Sequence, residues 1–253
     1  MKKENLILWV ASIVVTFLVI YLTNLFDRRY PITGTIGIDG QKVSYRFEKV
    51  HYGKENADVL IRSDVEDLSG KLFWKSDMDN AWFSENMHPS NMLLSSKLPS
   101  LKANQKLKYY VEILYKDKKY FLPGNQKVEM TYYGNIPSTV RFLRFLLIYL
   151  GLLLVVRVGL EYFNRDEKIK KLEIFIAIIF LILTVMINPL YLSYKYGFIN
   201  TSIPAINKLF PFKELSISAL WIITIVLTFN VKKYKLIPLI SAVITILIYS
   251  MIN

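Results

Sequence analysis

Five long apolar segments, with one polar block of about 110 residues between the first and second, leave this chain few ways to fold. The first runs from Leu6 to Phe26, and its 21 residues cross a hydrocarbon core of about 30 Å at roughly 1.5 Å per residue. A secretory signal is the rival reading. It would have a shorter apolar core and a small-x-small site, which Tyr21, Leu22, Asn24 and Leu25 do not offer, so an uncleaved anchor is expected. The others are Val140 to Tyr162, Leu172 to Leu190, Leu215 to Val231 and Leu236 to Ile252. The last two are near the lower limit of length for a span. At 53% hydrophobic residues the chain exceeds the ~45–50% of soluble domains, and the excess is concentrated in these runs.

Charge sets the expected orientation. Of a formal net charge of +12, about +3 lies in the block from Asp27 to Pro137, which holds 17 Lys/Arg and 14 Asp/Glu. The rest lies in the spans and their short connections, where Lys and Arg mark the cytoplasmic side. Three clusters fall on one side: Lys2 and Lys3; Arg157, Arg165, Lys168, Lys170 and Lys171; and Lys232, Lys233 and Lys235. The expected topology is a multi-pass protein of the bacterial inner membrane, N-terminus in the cytoplasm and residues 30–137 outside it. The basic balance needs no nucleic acid, and no RNA-binding aromatic motif or long basic run is present. Cysteine is absent, so the outer block must hold itself by a packed core, and thiolate catalysis and Cys-type metal sites are excluded.

Within residues 30–137 the pattern changes to short alternating runs separated by turn residues. Candidate strands are Thr33–Ile38, Lys42–Val50, Ala57–Arg62, Lys71–Lys75, Ala81–Ser84, Lys106–Tyr115, Lys119–Leu122 and Lys127–Tyr133. Leu107, Tyr109, Val111, Ile113 and Tyr115 alternate on one face, as a half-buried strand requires. Seven or eight short strands without an amphipathic helix fit a two-sheet sandwich of immunoglobulin or fibronectin type III kind. Tyr45, Phe47, Phe73, Trp74, Trp82 and Tyr110 are candidates for its core. The expected fold is a membrane α plus β protein with three parts. Residues 1–29 form an anchor, 30–137 an extracytoplasmic β-sandwich, and 138–253 a four-helix bundle with an aromatic outer loop at 191–214.

Few residues suggest chemistry. Met78, Met87, His88 and Met92 supply the soft ligands that select Cu(I), but their spacing matches no defined motif and methionine is ordinary core filler. Arg157 and Glu161 stand four apart on the second span and can pair. Arg141 and Arg144 share a face at the outer end of that span, as contacts for headgroups or as an anionic lipid or substrate clamp. In the outer loop Tyr194, Lys195, Tyr196 and Phe212 suit an interface belt or a segment that re-enters the bilayer. No Asp, His or second Glu lies deep in a span, which argues against an ion-coupled carrier. No GxSxG, HExxH, Walker A or GxGxxG motif occurs, so no cofactor and no enzymatic role are expected.

The order of parts resembles a family of uncharacterised bacterial inner-membrane proteins common in Bacteroidetes-like genomes. The resemblance rests on Tyr133, Gly134, Ile136 and Pro137 leading into the second span, on Arg141-Phe142, and on Gly159, Leu160 and Glu161. It continues at Pro189, at Tyr194-Lys195-Tyr196-Gly197-Phe198 and at Pro211-Phe212. The family pattern has a His near the start of the second span, which this chain lacks. The resemblance implies the topology and no activity. The expectation is a non-catalytic membrane subunit or assembly factor whose outer sandwich binds a protein or lipid partner within a membrane-protein complex. The alternative is a translocator, insertase or lipid carrier that uses an arginine-lined groove.

Overall fold

Alternation of apolar and polar residues builds the polar block into two facing sheets. The computed structural model describes residues 3–25, 29–65, 68–163, 169–199, 206–231 and 235–251. One sheet has the order β1 (Ile32–Ile38), β2 (Gln41–Phe47), β4 (Ala57–Ser63), β8 (Leu93–Leu98), β7 (His88–Ser90). The other has the order β3 (Val50–Tyr52), β11 (Val128–Tyr133), β9 (Lys106–Tyr115), β5 (Ser69–Ser76), β6 (Phe83–Asn86). A further strand, β10 (Lys118–Leu122), pairs with the second half of β9 where β11 has left it. All pairings are antiparallel except β3 with β11.

The best sequence expectation holds: Leu107, Tyr109, Val111 and Ile113 are buried in the core with Val59, Ile61, Leu72, Leu94 and Leu98, and Tyr115 packs at its edge. Two expectations change. The run Lys42–Val50 is not one strand, because the chain leaves the first sheet after Phe47 and joins the second at Val50. Strands β7 and β8, absent from the sequence reading, complete the first sheet.

Three two-residue hairpins set the register. Asp39-Gly40, Asn91-Met92 and Lys116-Asp117 all take positive φ at both central residues, the turn whose twist matches the flanking strands. Two of these tips are tied together: Lys116 Nζ lies 2.6 Å from Asp39 Oδ2, and Tyr115 Oη donates to the same oxygen at 3.0 Å. In β1, Gly34 sits opposite Tyr45, whose ring lies over the glycine and occupies the place a Cβ would take.

The helical unit contains α1 (Lys3–Leu25), α2 (Ser138–Leu160) with a 3-10 turn to Phe163, and α3 (Ile169–Ile182). A π-helical turn, Leu183–Ile187, carries α3 into α4 (Asn188–Lys195). Pro189 follows directly, and its missing N–H and ring disturb the regular ladder there. After α5 (Ile206–Leu209) come α6 (Phe212–Asn230) and α7 (Leu236–Met251). Helices α2, α3, α6 and α7 pack in a ring, with α1 against α2. Trp221, Phe180, Ile217, Ile176 and Val155 fill the centre. Glycines let the helices approach: a Cβ on Gly151 would stand 3.0 Å from the Phe180 ring, and one on Gly159 3.0 Å from Ala242 Cβ.

Among the described residues, four stretches are long and apolar enough to cross a membrane: Asn5–Leu25, Ser138–Phe163, Ile169–Lys195 and Phe212–Asn230. The fifth expected span corresponds to the shorter apolar helix Leu236–Ser250, which at about 1.5 Å per residue falls short of a ~30 Å core. The third helical stretch continues five residues beyond Leu190, so the first part of the expected outer loop is helix. Residues 200–205 of that loop lie outside the described residues, as do Lys2, Arg28, Arg165, Lys168, Lys232, Lys233 and Ile252.

The sandwich is not confined to one stretch of chain. Its compact unit takes in Arg29–Ile136 and also, among the described residues, 195–199. Gly134 N donates to the Lys195 carbonyl at 2.8 Å, the Lys195 ammonium stands 4.2 Å from the Tyr133 ring centroid, and Tyr196 packs edge-on against Tyr133.

Candidate functional site

The outward side chains of β5 and β9 follow from the same alternation that buries Leu72 and Val111. Phe73 and Tyr110 are cross-strand neighbours and stack face to face, 4.9 Å apart with their planes 2° from parallel. Trp82 meets Tyr110 edge-on at 5.3 Å, and Phe121 of β10 lies 6.3 Å from the same ring. Trp82 remains 37% exposed and Phe121 47%. The expectation that all six aromatics build the core is thus split. Phe47 is buried and Tyr45 and Trp74 pack against the core, whereas Phe73, Trp82 and Tyr110 form a ridge on the outer face.

Lysines border this ridge. Lys71 Nζ stands 5.5 Å from the Phe73 ring centroid, and Lys127 Nζ stands 4.5 Å from that of Trp82. Lys75 and Lys108 face each other across the β5–β9 pair. Two carboxylates on this face are already engaged: Glu112 with Lys119 at 2.9 Å, and Glu129 with Lys106 at 2.6 Å. That bond holds the Glu129 carboxyl below, and the Lys106 ammonium above, their ordinary pKa values.

A cleft of about 620 Å³ opens at the edge between the two sheets, where β7 stops pairing at Ser95 and leaves the end of β8 uncovered. Trp74, Asp58, Glu85, His88 and Lys97 line it, with Ser96 Oγ donating weakly to Glu85 Oε2 at 3.4 Å. Nearby phenols are structural. Tyr109 Oη donates to the Glu48 carbonyl at 2.8 Å, and burial pushes the Tyr109 and Tyr132 hydroxyls well above the ordinary phenol pKa.

The soft-ligand set does not converge. Met87 is buried against Gly70 and Leu94, Met78 is exposed and touches Gln105, Met92 is exposed at a hairpin tip, and His88 lies on an exposed edge strand. Among the described residues no group of three His, Asp or Glu side chains could hold a metal ion.

In the helices, Arg157 and Glu161 pair at 2.7 Å, both fully enclosed. Arg157 Nη2 also donates to Asn5 Oδ1 at 2.7 Å, and the guanidinium lies 5.4 Å from the Trp9 ring. Arg144 is turned into the bundle. Its Nε donates to Asn188 Oδ1 at 2.9 Å, its Nη2 lies 3.6 Å from Glu214 Oε1, and it stands over the Tyr191 ring at 4.5 Å. Of the other expected contact residues, Arg141 and Phe212 are exposed, Tyr194 is half-buried, and Lys195 and Tyr196 pack on Tyr133.

Sequence reasoning missed a polar seam along one face of α6. Thr184 and Ser218 hydroxyls lie 2.8 Å apart, Trp221 Nε1 donates to Thr245 at 3.0 Å, and Thr224 meets Ser241 at 2.7 Å. Thr228 donates to Glu173 Oε1 at 2.9 Å, and Glu173 is fully buried. Helical spacing of 214, 218, 221, 224 and 228 was the available signal. Such interhelical bonds hold membrane bundles together.

No protein-family model matches the sequence, and no curated protein matches it. Among solved structures, the crystal structure of the Br derivative of BhCBM56 aligns over 41% of this chain and 94% of its own, with 12% identity and a TM-score of 0.26. A likeness that loose carries no argument about this chain.

Proposed function

We propose that this chain is a non-catalytic, multi-pass protein of the bacterial inner membrane whose extracytoplasmic β-sandwich binds a partner. The ridge of Phe73, Tyr110, Trp82 and Phe121, the first two half-buried and the last two exposed, carries this reading. A folded domain rarely leaves four contiguous aromatic rings on an open sheet face, and aromatic residues concentrate at binding surfaces. The helices serve as the anchor, with the N-terminus in the cytoplasm and α7 as a fifth, short span.

A translocator with an arginine-lined groove is less well supported. Arg144 would have to present its charge to a cargo, yet Asn188, Glu214 and Tyr191 already surround it. The test is site-specific photo-crosslinking in intact cells. A benzophenone side chain at Phe121 should give a discrete adduct, and the same group at Arg62, on the outer face of the other sheet, should not. Equal labelling from both positions, or none, would sink the binding role.

A further inference from the structure

From the outer face of the six-stranded sheet we infer that the occupant of this surface is an acidic polysaccharide, a chain of sugar rings bearing carboxylates. This rests on the binding role proposed above. The outward positions of β5, β9, β10 and β11, with Lys127 just before β11 and Asp77 just after β5, hold six lysines (71, 75, 106, 108, 119 and 127) against Glu112, Glu129 and Asp77, a surplus of three positive charges. Both glutamates are bound to Lys119 and Lys106. Lys71, Lys75, Lys108 and Lys127 have no ion pair within 4 Å among the described residues; Lys75 Nζ donates to the Asn80 carbonyl at 3.1 Å, and Lys108 lies in the field of Glu129. Lys75 and Lys108 are direct cross-strand neighbours, an arrangement of like charges that weakens a sheet unless an anion lies across it. Glu129, opposite Lys108 on its other side, is bound to Lys106 and partly offsets the Lys108 charge as well.

The shape of the face selects among polyanions. It is an open sheet and not a cavity, so it fits an extended chain better than a small molecule. The rings between the lysines offer apolar contact to the C–H faces of sugar rings, and the ammonium groups reach carboxylates on either side. Anionic lipid is a poorer fit. Trp82 and Phe121 pack against Tyr110, and Lys127 covers Trp82, so no aromatic side chain stands clear of the others to insert among acyl chains. Nucleic acid fits the same charge but not an extracytoplasmic face.

The experiment uses the full chain in neutral nanodiscs over immobilised polygalacturonate, with neutral dextran, single-stranded DNA and phosphatidylglycerol vesicles as parallel surfaces. Retention on polygalacturonate should exceed that on dextran and weaken by about tenfold or more on raising salt, because exposed charges are screened. K71E/K108E and W82A/F121A should each lower affinity at least tenfold, whereas R62E/K97E, an equal change of charge on the other sheet, should leave it within twofold. No preference over dextran, stronger retention on DNA or vesicles, or equal loss in R62E/K97E would each overturn the acidic-glycan assignment. If polygalacturonate fails while the Phe121 adduct still forms, the occupant is wrong and the binding role stands. If both fail, both readings fall.

Discussion

Arg157 and Glu161, one turn apart on the second span, hold each other at 2.7 Å with each side chain only 2% exposed. Removing one partner strands the other charge in a dry bundle. Arg157→Met or Glu161→Leu alone should destabilise the protein by about 3–5 kcal/mol, and the double replacement by clearly less than the sum. Thermal unfolding of the detergent-solubilised protein reads both. Additive losses would show that the two side chains act independently.

Met92 holds a left-handed conformation, φ +64°, at the tip of the β7–β8 hairpin, where its side chain is exposed and packs on little. Met92→Gly creates an Asn-Gly turn suited to that backbone, and should stabilise the fold by about 0.5 kcal/mol. A lower melting temperature would show that the methionine side chain makes a contact of its own.

Gly151 leaves no room beside Phe180. Gly151→Ala should cost about 1–3 kcal/mol through overpacking, and Phe180→Leu in the same background should restore part of it. Melting temperatures of the two single variants and the pair decide this. No rescue would mean that the helices separate instead of repacking locally.

Glu129 is held below its ordinary pKa of 4.5, first by the hydrogen bond from Lys106. A carboxylate stabilised in the folded state adds stability that is complete above about pH 4.5 and disappears as pH falls through the lower, folded value. The pair is exposed, so the effect should be a few tenths of a kcal/mol, about the worth of a surface ion pair. Glu129→Gln should flatten this part of the acid limb of a stability–pH curve without changing the plateau near neutrality by more than that amount.

The absence of cysteine permits clean single-site labelling. A cysteine at Asp117, on the β9–β10 hairpin, should react with an impermeant maleimide in cells whose outer membrane has been opened. One at Phe163, exposed just after α2, should react only after lysis. Labelling of both before lysis, or the reverse pattern, would overturn the proposed orientation.

Local patterns were legible in the sequence and distant pairings were not. The alternation in Lys106–Tyr115 and the spacing of Arg157 and Glu161 each lie within one element, so they could be read directly. Strand β8 was hidden because Leu93-Leu94-Ser95-Ser96 doubles each residue type and blurs the period of two. The run through Phe47 and Val50 looked continuous because both ends are apolar, although the chain changes sheets between them. Arg144 looked like a free cation since Asn188 and Glu214 lie 44 and 70 residues away, and Glu173 gave no sign of Thr228, 55 residues on. Phe73, Trp82 and Tyr110 are core candidates by residue type. The parity of Phe73 along β5 and of Tyr110 along β9, opposite to that of Leu72 and Val111, was the signal for an outward position; Trp82 lies off both strands and gave none.

The segment after α4 changes how the sandwich can be handled. Cut at residue 137, the sandwich would keep its strands but lose the Lys195 carbonyl that receives Gly134 N–H and the ammonium and ring that cover Tyr133. Gly197, with φ +71°, brings the backbone against Ala103 where a side chain would collide, so a third pass of the chain closes that end of the domain. A soluble excerpt made from one stretch of sequence is therefore an incomplete copy, with more of the Tyr133 ring bared than in the whole protein.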